Sequence, residues 1–130
     1  MIGFGDALKR FREERGLSLR ELDKLSGVNY AYIQRLESND KTAPSDDKLD
    51  DLCSALKLTS QRRRLLKSLL STPPVPDALF EAMLLHPVAT VDAFIIAARV
   101  SFRGARPVTP QDWIKQLDEI DIDVLQNRDH

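Results

Sequence analysis

The sequence predicts an all-α protein, a five-helix domain followed by a smaller three-helix domain. Three observations predict it. Apolar residues recur three and four positions apart through almost every segment, the spacing that gathers them on one face of a helix. No segment alternates apolar and polar residues as a half-buried strand would. The stretch STPPVP, residues 71–76, interrupts the helical pattern with three prolines in four positions, which remove backbone donors and bias their neighbours toward extended conformations. The domains are therefore drawn as residues 1–71 and 77–130, joined at 72–76.

The first helix is expected over residues 3–15, with Phe4, Ala7, Leu8 and Phe11 on one face and Gly16 as a left-handed stop. Ser18 and Glu21 form a capping box that opens the second, with Leu22 and Leu25 inward and Gly27 ending it. Asn29 caps the third, which buries Ile33 and Leu36. Ser45 starts the fourth, through Leu49, Leu52, Cys53 and Leu56. Thr59 starts the fifth, through Leu65, Leu66, Leu69 and Leu70. Past the joint, PDALFEAMLL is short and apolar on one side, with His86 ahead of Pro87 at its end. Residues 89–102, ATVDAFIIAARVSF, are apolar almost all round, which suits a helix at a domain or subunit interface. The last helix opens with Thr109 as N-cap, Pro110 at the first helical position and Asp112 in the first turn; Trp113, Leu117, Ile120 and Val124 mark its apolar stripe.

Composition narrows the function. The 130 residues are 42% hydrophobic and 30% charged, a soluble globular balance. The longest apolar run, AFIIAA at 93–98, is too short to cross a bilayer, and no basic-then-apolar leader is seen, so a cytoplasmic, nucleoid-associated location and no membrane partner are expected. A single cysteine and two scattered histidines argue against a disulfide, a metal site or a cofactor. The net charge of −1 is uneven: residues 1–71 hold 14 Lys and Arg against 11 Asp and Glu, residues 72–130 hold 5 against 9. Only the first half is suited to approach phosphates.

Residues 17–38, LSLRELDKLSGVNYAYIQRLES, carry the spacing of a DNA-reading helix-turn-helix, with Gly27 supplying a positive φ and Leu22, Val28, Ile33 and Leu36 locking the pair. A helical hairpin without a DNA role fits the same spacing. The Gly-Val turn, Tyr32 with Glu37, and the five-helix layout resemble the phage-repressor and Xre-type helix-turn-helix family over about residues 3–70. The resemblance implies a recognition helix at 29–38, with Asn29, Tyr30, Ala31, Gln34 and Arg35 toward base edges in the major groove. Arg35 can bond guanine bidentately, Gln34 can read adenine, and Ala31 or the edge of Tyr30 can meet a thymine methyl. Arg20 and Lys41 are expected on phosphates. Leu19, Asp23 and Asn39 stand where that family has glutamine, alanine and glycine, so Asp23 must find a hydrogen bond or an exposed position. The basic run Arg62, Arg63, Arg64 reads as a solvated helix face before it reads as a phosphate contact.

Residues 99–113, RVSFRGARPVTPQDW, place Arg99, Phe102, Arg103, Gly104, Arg106 and Pro107 ahead of Asp112 and Trp113. This pattern resembles the C-terminal domain of DdrO-type repressors, Xre-family proteins of DNA-damage responses in radiation-tolerant bacteria. The resemblance implies a homodimer built from the C-terminal helices, here with Phe94, Ile95, Ala98, Trp113, Leu117 and Ile120. It also implies cleavage between Phe102 and Arg103, in a protease-sensitive loop near 102–108, by a separate zinc metallopeptidase of the IrrE type. The same stretch also reads as a plain connector between two helices. The function expected is a dimeric repressor of operator DNA inactivated by that cut. The alternative is an antitoxin that autoregulates its operon, with Asp118, Glu119, Asp121 and Asp123 covering a basic partner. An enzyme is not expected and no catalytic residue is assigned: self-cleaving repressors need a serine-lysine dyad on a β-rich domain, and residues 77–130 offer only Ser101 and Lys115, with no strand.

Overall fold

The computed structural model describes residues 1–40, 43–100 and 106–128, with side chains described through Val124. These residues form eight helices and no strand. They divide into two compact units, Ile2–Pro74 and Val75–His130 together with Met1.

The first unit holds α1 (Phe4–Glu14), α2 (Leu19–Ser26), α3 (Tyr30–Glu37), α4 (Asp46–Ala55) and α5 (Ser60–Ser68). Each start is fixed by a side chain that satisfies an orphan backbone donor. Asp6 accepts the Gly3 N–H, Ser18 the Glu21 N–H, Ser45 the Lys48 N–H and Thr59 the Arg62 N–H. Gly27 ends α2 at φ 76°, in the left-handed region where a side chain is strained. Ala7, Leu8, Phe11, Leu22, Ile33, Leu52, Leu56, Leu65 and Leu66 are buried to within 1% exposure, so these five helices share one core.

Two expected core positions are corrected. Leu25 is 62% exposed and Leu70 37% exposed. The face that buries Leu22 continues four residues on, at half-buried Ser26, whose hydroxyl accepts the Val28 N–H; the step of three turns Leu25 outward. Leu70 lies past the end of α5 and leaves its face. Glu37 meets Arg12 of α1, with Arg12 Nε and Nη2 donating to its two oxygens at 2.7 and 2.8 Å. Tyr32 instead lies under the Lys48 ammonium, 4.3 Å from the ring centroid. Arg62 and Arg63 are half-buried rather than a solvated face: Arg62 bonds Glu14 at 2.8 Å and lies over the Phe11 ring, and Arg63 donates to the Ser54 hydroxyl at 2.8 Å. Only Arg64 of the run is exposed.

α6 (Asp77–Leu85), α7 (Val91–Arg99) and α8 (Pro110–Arg128) build the second unit, with α8 packed against both α6 and α7. Its core is Leu79, Phe80, Met83, Phe94, Trp113 and Leu117, none more than 1% exposed. Two polar ties bring α8 to the α6–α7 connection. His86 Nε2 lies 2.6 Å from Asp118 Oδ1, and the Thr90 hydroxyl donates to Asp121 Oδ1 at 2.6 Å. Thr90 also caps α7 by accepting the Ala93 N–H. The penultimate helix, α7, is expected from sequence to reach residue 102, but Val100 is already extended, at φ −70° and ψ 133°, a conformation that suits its branched side chain. α7 turns Ala93, Phe94 and Ala97 inward and leaves Ile96 and Val100 about 40% exposed.

Candidate nucleic-acid interface

The turn Gly27–Asn29 sets α3 across α2, and three hydrogen bonds hold it. Gly27 N–H closes on Asp23 O at 2.8 Å, Asn29 Oδ1 accepts the Ala31 N–H at 2.8 Å, and Asp23 Oδ2 accepts the Tyr30 N–H at 2.9 Å. The carboxylate that stands where the Xre-type pattern has alanine is thus half-buried and bonded, at the positive end of α3 where an anion is favoured. Ile33 and Leu36 turn into the core. The opposite face of α3 presents Tyr30, Ala31, Gln34 and Arg35, all exposed, at the spacing of a single face one to two turns long.

The structure therefore brings five expected residues onto one surface: Arg20 from α2, and Tyr30, Ala31, Gln34 and Arg35 from α3. Asn29 lies at the edge of that surface with its amide oxygen committed to the cap. Arg35 keeps 65% of its side-chain exposure, with Nε 3.9 Å from Asp40, a loose pair that leaves the guanidinium able to reach out. Lys41, Phe102 and Arg103 lie outside the described residues. Arg106, in the irregular stretch before α8, is exposed and lies over the Trp113 ring at 5.9 Å from its centroid.

Of the six residues assigned to a dimer, Phe94, Trp113 and Leu117 are fully buried inside the second unit. They can serve a partner only by holding the helices in place. Ile95, Ala98 and Ile120 are half-buried at its surface. Sequence reasoning missed the Arg12–Glu37 pair and the contact of Arg20 with Tyr30. An arginine on the polar flank of an amphipathic helix gives no sign of its partner 25 residues away. The Cys53 thiol is pushed up by burial, which leaves it neutral and inert. Among the described residues no cluster could hold a metal ion, and no helix is long and apolar enough to cross a membrane.

Residues 8–62 match the family model described as Helix-turn-helix, HTH_3. The chain is 38% identical over 58 residues to the HTH-type transcriptional repressor RghR of Bacillus subtilis, 45% of this chain and 43% of RghR. It is 34% identical over 55 residues to the HTH-type transcriptional regulator SinR of the same organism, 42% of this chain and 50% of SinR. Each of these two likenesses spans half or less of that protein's own length. The likeness to the HTH-type transcriptional regulator DdrOP3 of Deinococcus deserti is fainter and longer: 28% identity over 118 residues, 85% of this chain and 89% of DdrOP3. Residues 8–62 thus match a helix-turn-helix model, in a chain whose similarity to the transcriptional regulator DdrOP3 continues into the second unit.

Proposed function

We propose that this protein is a sequence-specific, homodimeric transcriptional repressor, inactivated when a separate zinc metallopeptidase of the IrrE type cuts near Phe102 and Arg103. DNA-binding transcriptional regulation is the broader part of this reading, and it is supported by the helix-turn-helix match and by relatives named as transcriptional regulators. The observation that carries the finer part is the length of the DdrOP3 likeness, which at 85% of this chain reaches into the second unit and spans the RVSFRGARPV stretch.

In this reading Arg20 meets a phosphate, Gln34 and Arg35 read base edges, and Ala31 faces a thymine methyl. Two copies associate through the second unit, with Ile95, Ala98 and Ile120 at its surface. A single reading head holds a half-site weakly, whereas the dimer keeps the second head near millimolar effective concentration. Cutting at Phe102–Arg103 detaches residues 103–130 and with them all of α8. Trp113 and Leu117 are both fully buried, and their removal forfeits about 2 kcal/mol each as an upper estimate from area. The dimer then loses its support while every DNA-facing side chain stays intact.

The antitoxin alternative has less to draw on, because Asp118 and Asp121 are engaged by His86 and Thr90. The test joins three measurements on the full chain: sedimentation, anisotropy on a duplex selected from a random pool, and incubation with the purified metallopeptidase. The expected result is a dimer that binds, is cut at one bond and lets go, and an Arg103→Asp variant that binds but is not cut. A monomer that binds at full strength overturns the dimer; continued cutting of the variant at the same bond overturns the switch.

A further inference from the structure

Arg20 and Tyr30 reach solvent from different helices, and α2 grips Tyr30 at two points. The Arg20 guanidinium lies over the Tyr30 ring, 4.8 Å from its centroid. One turn further along α2, Asp23 Oδ2 accepts the Tyr30 backbone N–H at 2.9 Å. The first residue of α3 is thus held by its ring and by its amide.

Arg20 needs such a contact. It is the second residue of α2, near a helix end whose partial positive charge repels a cation, so its own helix does not favour it there. A long exposed side chain in that place would spread over many rotamers. The negative face of an aromatic ring attracts a guanidinium and orders it. A guanidinium held over a ring by its central carbon keeps N–H groups turned away from the ring, where two of them can meet two oxygens of one phosphate. Leu19, half-buried and apolar, has no donor to offer at the same helix end.

We propose that Tyr30 is a positioning residue for Arg20, its ring presenting the guanidinium edge outward so that a phosphate contact at α2 and the placement of α3 are made as one unit. This rests on the DNA-binding reading above. It changes what Tyr30 is for: the ring acts through Arg20, and the hydroxyl is dispensable.

The experiment is a double-mutant cycle read by anisotropy on the selected duplex over a salt series. Arg20→Ala is expected to flatten the slope of log affinity against log salt by about 0.9, the signature of one lost phosphate contact. Tyr30→Leu is expected to weaken binding about two- to five-fold when Arg20 is present and to have no further effect in the Arg20→Ala background. Tyr30→Phe keeps the ring and is expected to bind as the wild type does. In the free protein, the Arg20 δ-methylene protons should be shifted upfield by the ring in the wild type and in Tyr30→Phe, and not in Tyr30→Leu. Equal losses from Tyr30→Leu in both backgrounds, or a Tyr30→Phe as weak as Tyr30→Leu, overturn the proposal. Absence of the ring shift in the wild type overturns it without reference to DNA. A wild type that binds no duplex overturns the DNA-binding reading, and this assignment falls with it.

Discussion

The contact most open to quantitative attack in the first unit is Arg12 with Glu37. Arg12 donates through Nε and Nη2 to both carboxylate oxygens, and through Nη1 to Leu17 O at 2.8 Å. Its side chain keeps 13% of its exposure and that of Glu37 8%. The bond to Glu37 is the main reason the arginine is held above its already high ordinary pKa, so the cation stays charged wherever the domain is folded. Glu37→Gln leaves a largely desolvated guanidinium facing a neutral amide. Breaking one side of a buried pair costs about 3–5 kcal/mol, and the residual water contact places this pair at about 3 kcal/mol. For a domain of this size that corresponds to a fall of roughly 12–24 °C in Tm. Arg12→Met combined with Glu37→Leu removes both charges at similar volume and should restore most of the loss. Urea unfolding followed by far-UV circular dichroism, with Cm and m fitted for wild type, single and double variants, gives the three numbers. If Glu37→Gln lies within about 0.5 kcal/mol of wild type, the pair behaves as a surface salt bridge and its burial does not matter.

Gly5→Ala should destabilise the first unit by about 3 kcal/mol, because the new methyl would lie 2.6 Å from Asn39 Oδ1 and 2.7 Å from Glu37 O, and closer still to Leu36 O, where two of the three obstacles are backbone that cannot swing aside. A thermal melt close to wild type would show that α1 can slide away from the end of α3. At the start of α8, the hydrogen bonds from the side chain and then the backbone N–H of Thr109 hold Asp112 below the usual carboxylate range. A depressed folded pKa means that the unfolded chain binds the extra proton, so this contribution is complete above the ordinary carboxylate pKa of about 3.9 and disappears as pH falls through the lower folded value. An NMR titration of Asp112 should therefore rise toward the ordinary value in Thr109→Val, and the stability difference between wild type and Asp112→Asn should shrink in acid. An unchanged titration in Thr109→Val would remove the threonine as its cause.

Most of the helix starts could be read from the chain because capping is local: Ser18, Asn29, Ser45, Thr59 and Thr109 each act on a donor two or three residues away. The face of α3 was legible for the same reason, since period 3.6 fixes which of its eight residues look outward once Ile33 and Leu36 are inside. Leu25 escaped because steps of three and four both fit a helical face, and only the packed neighbours decide between Leu25 and Ser26. Asn39 shows the same limit from the other side. It holds the left-handed backbone, φ 58°, usually given to glycine, and its amide accepts the Gly5 N–H at 2.8 Å, 34 residues away. Local spacing contains the conformation but not the distant partner that makes asparagine acceptable there.

The two units differ in how they tolerate loss, and this bears on the proposed switch. The first unit interlocks five helices, so that α3 is braced from α1 through Glu37 and from α2 through Asp23. In the second, α6 and α7 are nine residues each, shorter than the roughly 12–15 residues at which an isolated helix becomes even marginal in water. Both depend on α8, which supplies Trp113 and Leu117 to their core and the carboxylates that hold their connection. A cut anywhere between α7 and α8 would leave α6 and α7 without enough apolar area to stay helical. It would act as an all-or-none change in the second unit while the first stays folded. A ligand that merely loosened a surface would have to supply about 5.5 kcal/mol of differential binding to move such an equilibrium from one side to the other, whereas a broken peptide bond does so irreversibly by removing the helix on which the other two are built.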